Sequence, residues 1–292
     1  MRGQPGFTII EVMLFLAISG ALFIIGLTYM TGTVRSVRFQ DATQTVESFI
    51  ERQYSAVQTN SVARTDWAGG ATPGNRLGAT CTAGAAIAIN DNMTAAAAAG
   101  QGNSASCILL GAELVFGTYG PSATTVDVYP ILGYAGANTG QSTIDSLQAA
   151  NPRVLTTRST TTDYGPTESF LLPWGTNFAK MKSVPAGPGT GGYNAIAILR
   201  SPQSESINMI YHTASTNPGT LRALDLRPSI IAIPSQRNIR AALCLQSPGD
   251  DRRGAILLNG TSGSENFSIS SISSSLKTTT DVLVPGTGLT CA

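Results

Sequence analysis

From Val12 to Val34 the chain carries no charged residue. As a helix this run extends about 35 Å at roughly 1.5 Å per residue. A bilayer core is about 30 Å thick, so the run is long enough to span one. A cleaved secretory signal has a shorter apolar core, about 7–15 residues, with its cleavage site behind it. Here the small-residue site, "QPG" followed by "FT", precedes the run. Cleavage there leaves the helix on the mature chain. Glu11 stands at the edge of the apolar run, with no cation beside it in sequence. An acid at the centre of a membrane helix costs about 2.5–3.5 kcal/mol, and less near the edge. Glu11 is then either an interfacial residue touching headgroups or an acid awaiting a positive partner. Cleavage after Gly6 creates such a partner, the α-amine of Phe7. Residues four apart share a helix face, so Glu11 can meet that amine in its own chain or in a neighbouring copy. A charge pair in apolar surroundings is directional, and it can set the register between stacked helices.

The stretch "GFTIIEVMLFLAI", residues 6–18, resembles the N-terminus of type IV pilins and the related pseudopilins. The resemblance implies a prepilin peptidase that cleaves between Gly6 and Phe7 and methylates the Phe7 amine. It also implies that Glu11, fifth in the mature chain, guides docking into a filament. The partners it implies are other pilin subunits, the peptidase and an inner-membrane assembly platform, with no cofactor. The leader "MRGQPG" has one basic residue, Arg2, where such leaders often have more. The helix lacks the mid-span proline of many pilins; Gly20, Gly26 and Gly32 are its weak points instead. A cytoplasmic leader places everything after about Val34 outside. Arg35 and Arg38 then lie on the outer side, against the positive-inside tendency, although Asp41, Glu47 and Glu51 follow closely.

The helix is expected to continue beyond the membrane. Val46, Phe49, Ile50, Tyr54 and Val57 follow the spacing of one apolar helix face, and no Gly or Pro interrupts residues 33–60. Downstream, residues 61–106 are rich in Gly, Ala, Asn and Thr and read as a loop with a short helical turn at 94–100. Short apolar or β-rich runs then predict strands at 107–116, 125–132, 194–199, 207–212, 229–233, 241–246, 254–258 and 281–284. Asn259-Gly260 reads as a hairpin turn and 151–169 as an exposed connection. The fold class expected is α+β: a long N-terminal helix packed on an antiparallel β-rich head. The division expected is a leader at 1–6, the helix at 7–60, and an outer head at 61–292 with room for two subdomains. Only 12% of the residues are charged, but 42% are hydrophobic, enough to build such a head.

Cys81, Cys107, Cys244 and Cys291 form no CxxC pair, and four cysteines allow three pairings. The shortest closed loops favour 81–107 and 244–291. Each bridge is worth roughly 3.5–4 kcal/mol in the chain-entropy picture. The second would pin the end of the chain, and it resembles the disulfide-bounded C-terminal loop of many pilins.

The sequence offers little for catalysis. His212 is the only histidine, which excludes HExxH and related zinc patterns, and it reads as a surface or strand-end residue. The glycine-rich segment 187–192 lacks the lysine of a P-loop, and "GTSGS" lacks nucleophile-elbow spacing. Ser274 and Lys277 match S-x-x-K without the "KTG" expected beyond it. Asp250, Asp251 and Asn259 lack the alternation of a calcium loop, so no metal site is expected. Sequons stand at Asn92, Asn259 and Asn266. Arg237, Arg240, Arg252 and Arg253 lie within 17 residues and would grip phosphates if two strands gathered them. Asp250 and Asp251 counter half of that charge, no aromatic stripe accompanies it, and the net charge is only +1, so a solvated face is preferred to DNA capture. The expectation is a non-enzymatic filament subunit, a minor type IV pilin serving adhesion, twitching motility or DNA uptake. It starts as a single-pass precursor in the cytoplasmic membrane and ends in an extracellular pilus. A type II secretion pseudopilin is the alternative, and a membrane-anchored outer-face enzyme ranks last.

Overall fold

A computed structural model describes residues 8–59, 76–80, 88–93, 107–117, 124–134, 147–154, 168–184, 193–202, 204–213, 224–226, 240–248, 252–259, 268–273, 282–284 and 289–291. Helix α1 runs unbroken over Ile9–Gln58. It starts where Thr8 accepts the Glu11 backbone N–H on its side-chain oxygen at 3.3 Å. Thr8 and Glu11 stand in the S/T-x-x-E spacing of a capping box, and an acid in the first turn also suits the helix dipole. Thr28, Thr31 and Thr33 turn their hydroxyls back onto the carbonyls of Ile24, Thr28 and Tyr29. The apolar half thus satisfies these hydroxyls internally, as a hydrocarbon environment requires.

The two halves of α1 differ as the sequence predicts. Among the described residues nothing in the head covers the apolar half: Ile9 is 78% exposed and Met30 67%. In the second half Val46, Phe49, Ile50 and Val57 are buried, and Tyr54 packs partly buried against the same core.

The strands, numbered in chain order, form antiparallel sheets. A small pair joins β1 (Arg76–Thr80) and β2 (Ala88–Met93). The predicted loop at 61–106 is therefore corrected to include this hairpin; residues 94–100 lie outside the described residues. The central sheet holds β3 (Cys107–Phe116), β4 (Thr125–Tyr134), β5 (Arg153–Val154) and β6 (Glu168–Leu171). It also holds β8 (Ala195–Arg200), β9 (Ile207–His212) and β10 (Leu224–Asp225), after β7 (Asn177–Val184), which belongs elsewhere. Its order is β10-β5-β4-β3-β8-β9, with β6 also on β4. The second sheet has the order β13-β12-β11-β7, with β11 (Arg240–Gln246), β12 (Arg253–Asn259) and β13 (Ser268–Ser273). A last pair joins β14 (Val282–Val284) and β15 (Leu289–Cys291).

The buried face of α1 and the inner faces of both large sheets close one core. Phe49 and Ile50 share it with Leu114, Ile196 and Ile198 of the central sheet and with Leu243 and Ile256 of the second. A separate apolar cluster fills the other face of the central sheet, around Tyr129, Ile131 and Ile210. At the β3 bulge, a Cβ on Gly111 would collide with the Ile198 carbonyl, so β3 and β8 approach as closely as they do only with glycine there.

Two further expectations are corrected. Asn259 is the last residue of β12 and pairs with Ser268, so the strands are joined through residues 260–267 and not by a two-residue turn. The supposed exposed connection begins buried: Asn151, Arg153 and Val154 are enclosed, because β5 adds to β4. The strand predicted at 229–233 lies outside the described residues.

Candidate functional site: the bare helix and the grip of the head

The residues expected to govern processing, Gly6 and Phe7, lie outside the described residues. Glu11 is exposed on the first turn of α1, where its backbone N–H donates to the Thr8 hydroxyl. The spacing of "TIIE" carried the signal of that helix start, which the interfacial and filament readings of Glu11 both passed over.

The head grips α1 along its upper half. Strand β6 lies beside the helix with Glu168 at one end, where its carboxylate receives Arg52 and, at 2.7 Å, Gln53. Phe170 stacks on Phe49 with ring centroids 4.4 Å apart. Lower on the helix, the turn at Pro173–Gly175 presents Trp174, whose indole N–H donates to Asp41 at 2.9 Å. The Arg38 guanidinium lies over the same ring, 4.9 Å from its centroid. Lower still, the Arg252 side chain donates to the Gly32 carbonyl at 3.0 Å. The contacts descend in order from Gln53 to Gly32, and below them the helix is bare.

Arg252 therefore corrects the sequence reading. It is only 6% exposed, held between β12 and the helix, so it is no part of a solvated face. Arg253 is half-buried and donates to the Cys291 carbonyl at 3.3 Å. The β11–β12 register pairs Arg240 with Asn259 and Arg253 with Gln246, at opposite ends of the ladder. Six residues of strand separate the two arginines by about 20 Å, so they do not meet as one phosphate-gripping patch. Arg237 lies outside the described residues.

Cys244 and Cys291 form a disulfide with Cα atoms 5.5 Å apart. It ties β15 to the outer face of the second sheet, where Ala242, Ala255 and Leu257 surround it. The other expected bridge, Cys81 to Cys107, lies outside the described residues, since Cys81 and the Cys107 side chain are not among them.

One pair escaped the sequence reading. His212 is buried, with Nε2 2.7 Å from Oε1 of Glu113, which is fully enclosed. The contact is a close approach without an aligned hydrogen bond, and no other donor among the described residues serves either Glu113 oxygen. The register explains the meeting. Glu113 stands opposite Ala197 and His212 opposite Ala195, so two alanines on β8 let the side chains join across it. A lone acid inside the apolar "CILLGAELVF" was the available signal. On the other face of β9, burial pushes the Tyr211 phenol well above its ordinary range. Among the described residues no group of three or more His, Cys, Asp or Glu side chains is placed to hold a metal.

The described residues thus offer a long, uncovered apolar rod carrying a head. A scan against protein-family models and searches of curated proteins and solved structures found no match to this chain.

Proposed function

We propose that the protein is a pilin-like filament subunit that is anchored by α1 and assembles through it, a minor type IV pilin in the first reading. The observation that carries this is the division of one continuous helix, Ile9–Gln58, into a bare apolar half and a half buried in the head. In a lipid bilayer the bare half is solvated by acyl chains. Outside it, about 35 Å of apolar helix would demand burial, and a bundle of identical helices supplies that burial. The preceding "QPGFTIIE" supports processing before assembly, with the peptidase cutting after Gly6 and Phe7 providing the new amine. The Cys244–Cys291 bridge suits a head displayed in an oxidising compartment.

The test has two parts. Intact mass of membrane-extracted protein should show a chain beginning at methylated Phe7. Mass spectrometry of sheared filaments should then find this chain at low abundance beside a major subunit. Its presence only in envelope fractions of secreting cells would favour the pseudopilin. A mature chain beginning at Met1 in cells with an active prepilin peptidase would remove the basis of both.

A further inference from the structure

Just above the level where a bilayer would end, α1 is apolar on one side only. A hydrocarbon core about 30 Å thick takes about 20 helical residues. Counted from Val12, that span ends at Thr31, and the headgroup layer adds about 5–8 Å. Val34 falls within that layer, and Val37 stands about 9 Å above Thr31. Trp174, held at Arg38 and Asp41, stands higher still, about 10–15 Å above Thr31, where lipid does not cover it. Yet Val37 is 58% exposed, Trp174 54% and Leu171 67%. Among the described residues, Leu171 and Trp174 are the only exposed large hydrophobics outside α1.

These residues belong to one stripe. At about 100° per residue, Val34, Val37, Arg38 and Asp41 fall within about 100° of one another, so the indole closes the stripe that Val34 and Val37 form. Trp174 keeps a left-handed backbone there, φ 58°, a strain of about 1–3 kcal/mol that persists only where the surroundings impose it. Below, the stripe continues through Met30, Leu27 and Phe23 in alternating steps of three and four, and all of these are exposed. The same steps lead back to Ile9, with Gly20 the one place that is not large and apolar. The run is four heptads long, the repeat that one helix presents to another along a shared seam. The neighbouring rows of α1 lose this character: one ends on Arg35 and Arg38, another on Thr33 and Ser36.

A second copy matches this surface. Anchored in the same membrane with the same orientation, it presents the same stripe at the same height, related by a two-fold axis. Like charges do not meet across such a parallel seam, because the heptad places Arg38 of one copy opposite Thr33 of the other. Above the hydrocarbon, where lipid no longer solvates apolar side chains, pairing removes Val37 and the indole from water. We propose that the α1 stripe up to Val37, closed at its top by Trp174 and Leu171, seats the α1 of a second copy while both are still in the membrane. The pair rests on the reading of α1 as a membrane anchor and does not require filament assembly. It gives the subunit a fixed side for its first neighbour.

The test uses full-length protein with benzoylphenylalanine in place of Met30 or Val37 on the stripe, or of Ile25 or Tyr29 on the far side of the helix. Each is made with two different affinity tags, and the two forms are reconstituted together in phosphatidylethanolamine–phosphatidylglycerol vesicles at low protein-to-lipid ratio. On irradiation, Met30 and Val37 should give mixed-tag dimers severalfold more than Ile25 and Tyr29, with the links mapped to α1 of the second copy. Adding Leu171→Asn and Trp174→Asn should lower the Val37 yield severalfold; asparagine tolerates the left-handed backbone at the second position. Equal yields from all four positions show association without a preferred side and overturn the seam. Dimers from none of them, in protein that still floats with the vesicles after carbonate washing, overturn the pair and leave the anchor standing. An unchanged Val37 yield in a folded double variant overturns the closing role of the turn. Failure to float removes the anchor and the pair with it. Abundance in sheared filaments is measured separately, so loss of the pair and loss of the filament reading are told apart.

Discussion

Tyr211 carries its phenol in the main core with no hydrogen-bond partner among the described residues. Desolvation raises its pKa in the folded state. Above about pH 10 the unfolded chain releases this proton while the folded chain keeps it, so stability falls as pH climbs past that point and is intact below it. Tyr211→Phe should flatten the alkaline slope and raise stability at neutral pH by about 1 kcal/mol, since an unsatisfied hydroxyl leaves the core. Urea melts at neutral and alkaline pH in detergent measure both. The Glu113–His212 pair behaves oppositely to a phenol that can simply be removed. Deleting one partner of a buried polar pair leaves the other unsatisfied, at about 1–3 kcal/mol or more. Glu113→Ala is therefore expected to lower the melting midpoint sharply, and the added change His212→Leu to recover much of the loss. An additive double mutant would mean that the 2.7 Å approach carries little coupling energy.

At the scale of elements, much was legible because periodicity and β-rich composition dominate. β3 and β9 coincide with the runs "CILLGAELVF" and "INMIYH". The face of α1 appeared as Val46, Phe49, Ile50 and Val57 at helical spacing. β7 escaped because "NFAKMKSV" carries two lysines, and β13 because "SISSIS" is mostly serine; both edge the second sheet. Edge strands bury one flank, so their apolar signal is thin. The grip of Arg252 was beyond reach of sequence, since it joins residues 220 positions apart. The glycines separate into two kinds on the same grounds. Gly111 is required by the Ile198 backbone, whereas Gly20, Gly26 and Gly32 have open space where a Cβ would go. Six-residue spacing turns about 240° around a helix, so these three share no face and form no docking stripe. Gly111→Ala should destabilise the head in thermal melts, while Gly26→Ala should leave it unchanged and stiffen the bare helix by up to about 1 kcal/mol. Arg252→Met keeps the bulk but drops a charged donor worth about 1.5–3 kcal/mol. Faster amide exchange confined to residues 30–38, with the sheets unaffected, is the expected signature.

For the whole molecule, Glu11 stands both at the start of α1 and in the filament assembly proposed here, and the two roles can be separated. As third residue of α1 it donates its backbone N–H to the Thr8 hydroxyl, and at this position of a capping box glutamine serves as well as glutamate. Charge is what glutamine lacks. Removing an acid from an apolar helix also relieves a cost of insertion, so neither variant should reduce the membrane-bound pool. The proposed docking step needs the carboxylate itself, to meet the α-amine that cleavage creates on Phe7. In a core of packed apolar helices an unpaired amine is penalised by a few kcal/mol, roughly the cost of stranding one partner of a buried pair. Glu11→Gln and Glu11→Ala should therefore both leave cleavage intact and both fall out of the sheared-filament fraction. Only Glu11→Ala should also fray the first turn, which amide exchange at residues 9–12 detects. If Glu11→Gln enters filaments at the wild-type level while Glu11→Ala does not, the acid acts as a helix cap, and the charge-pair account of assembly fails for this protein.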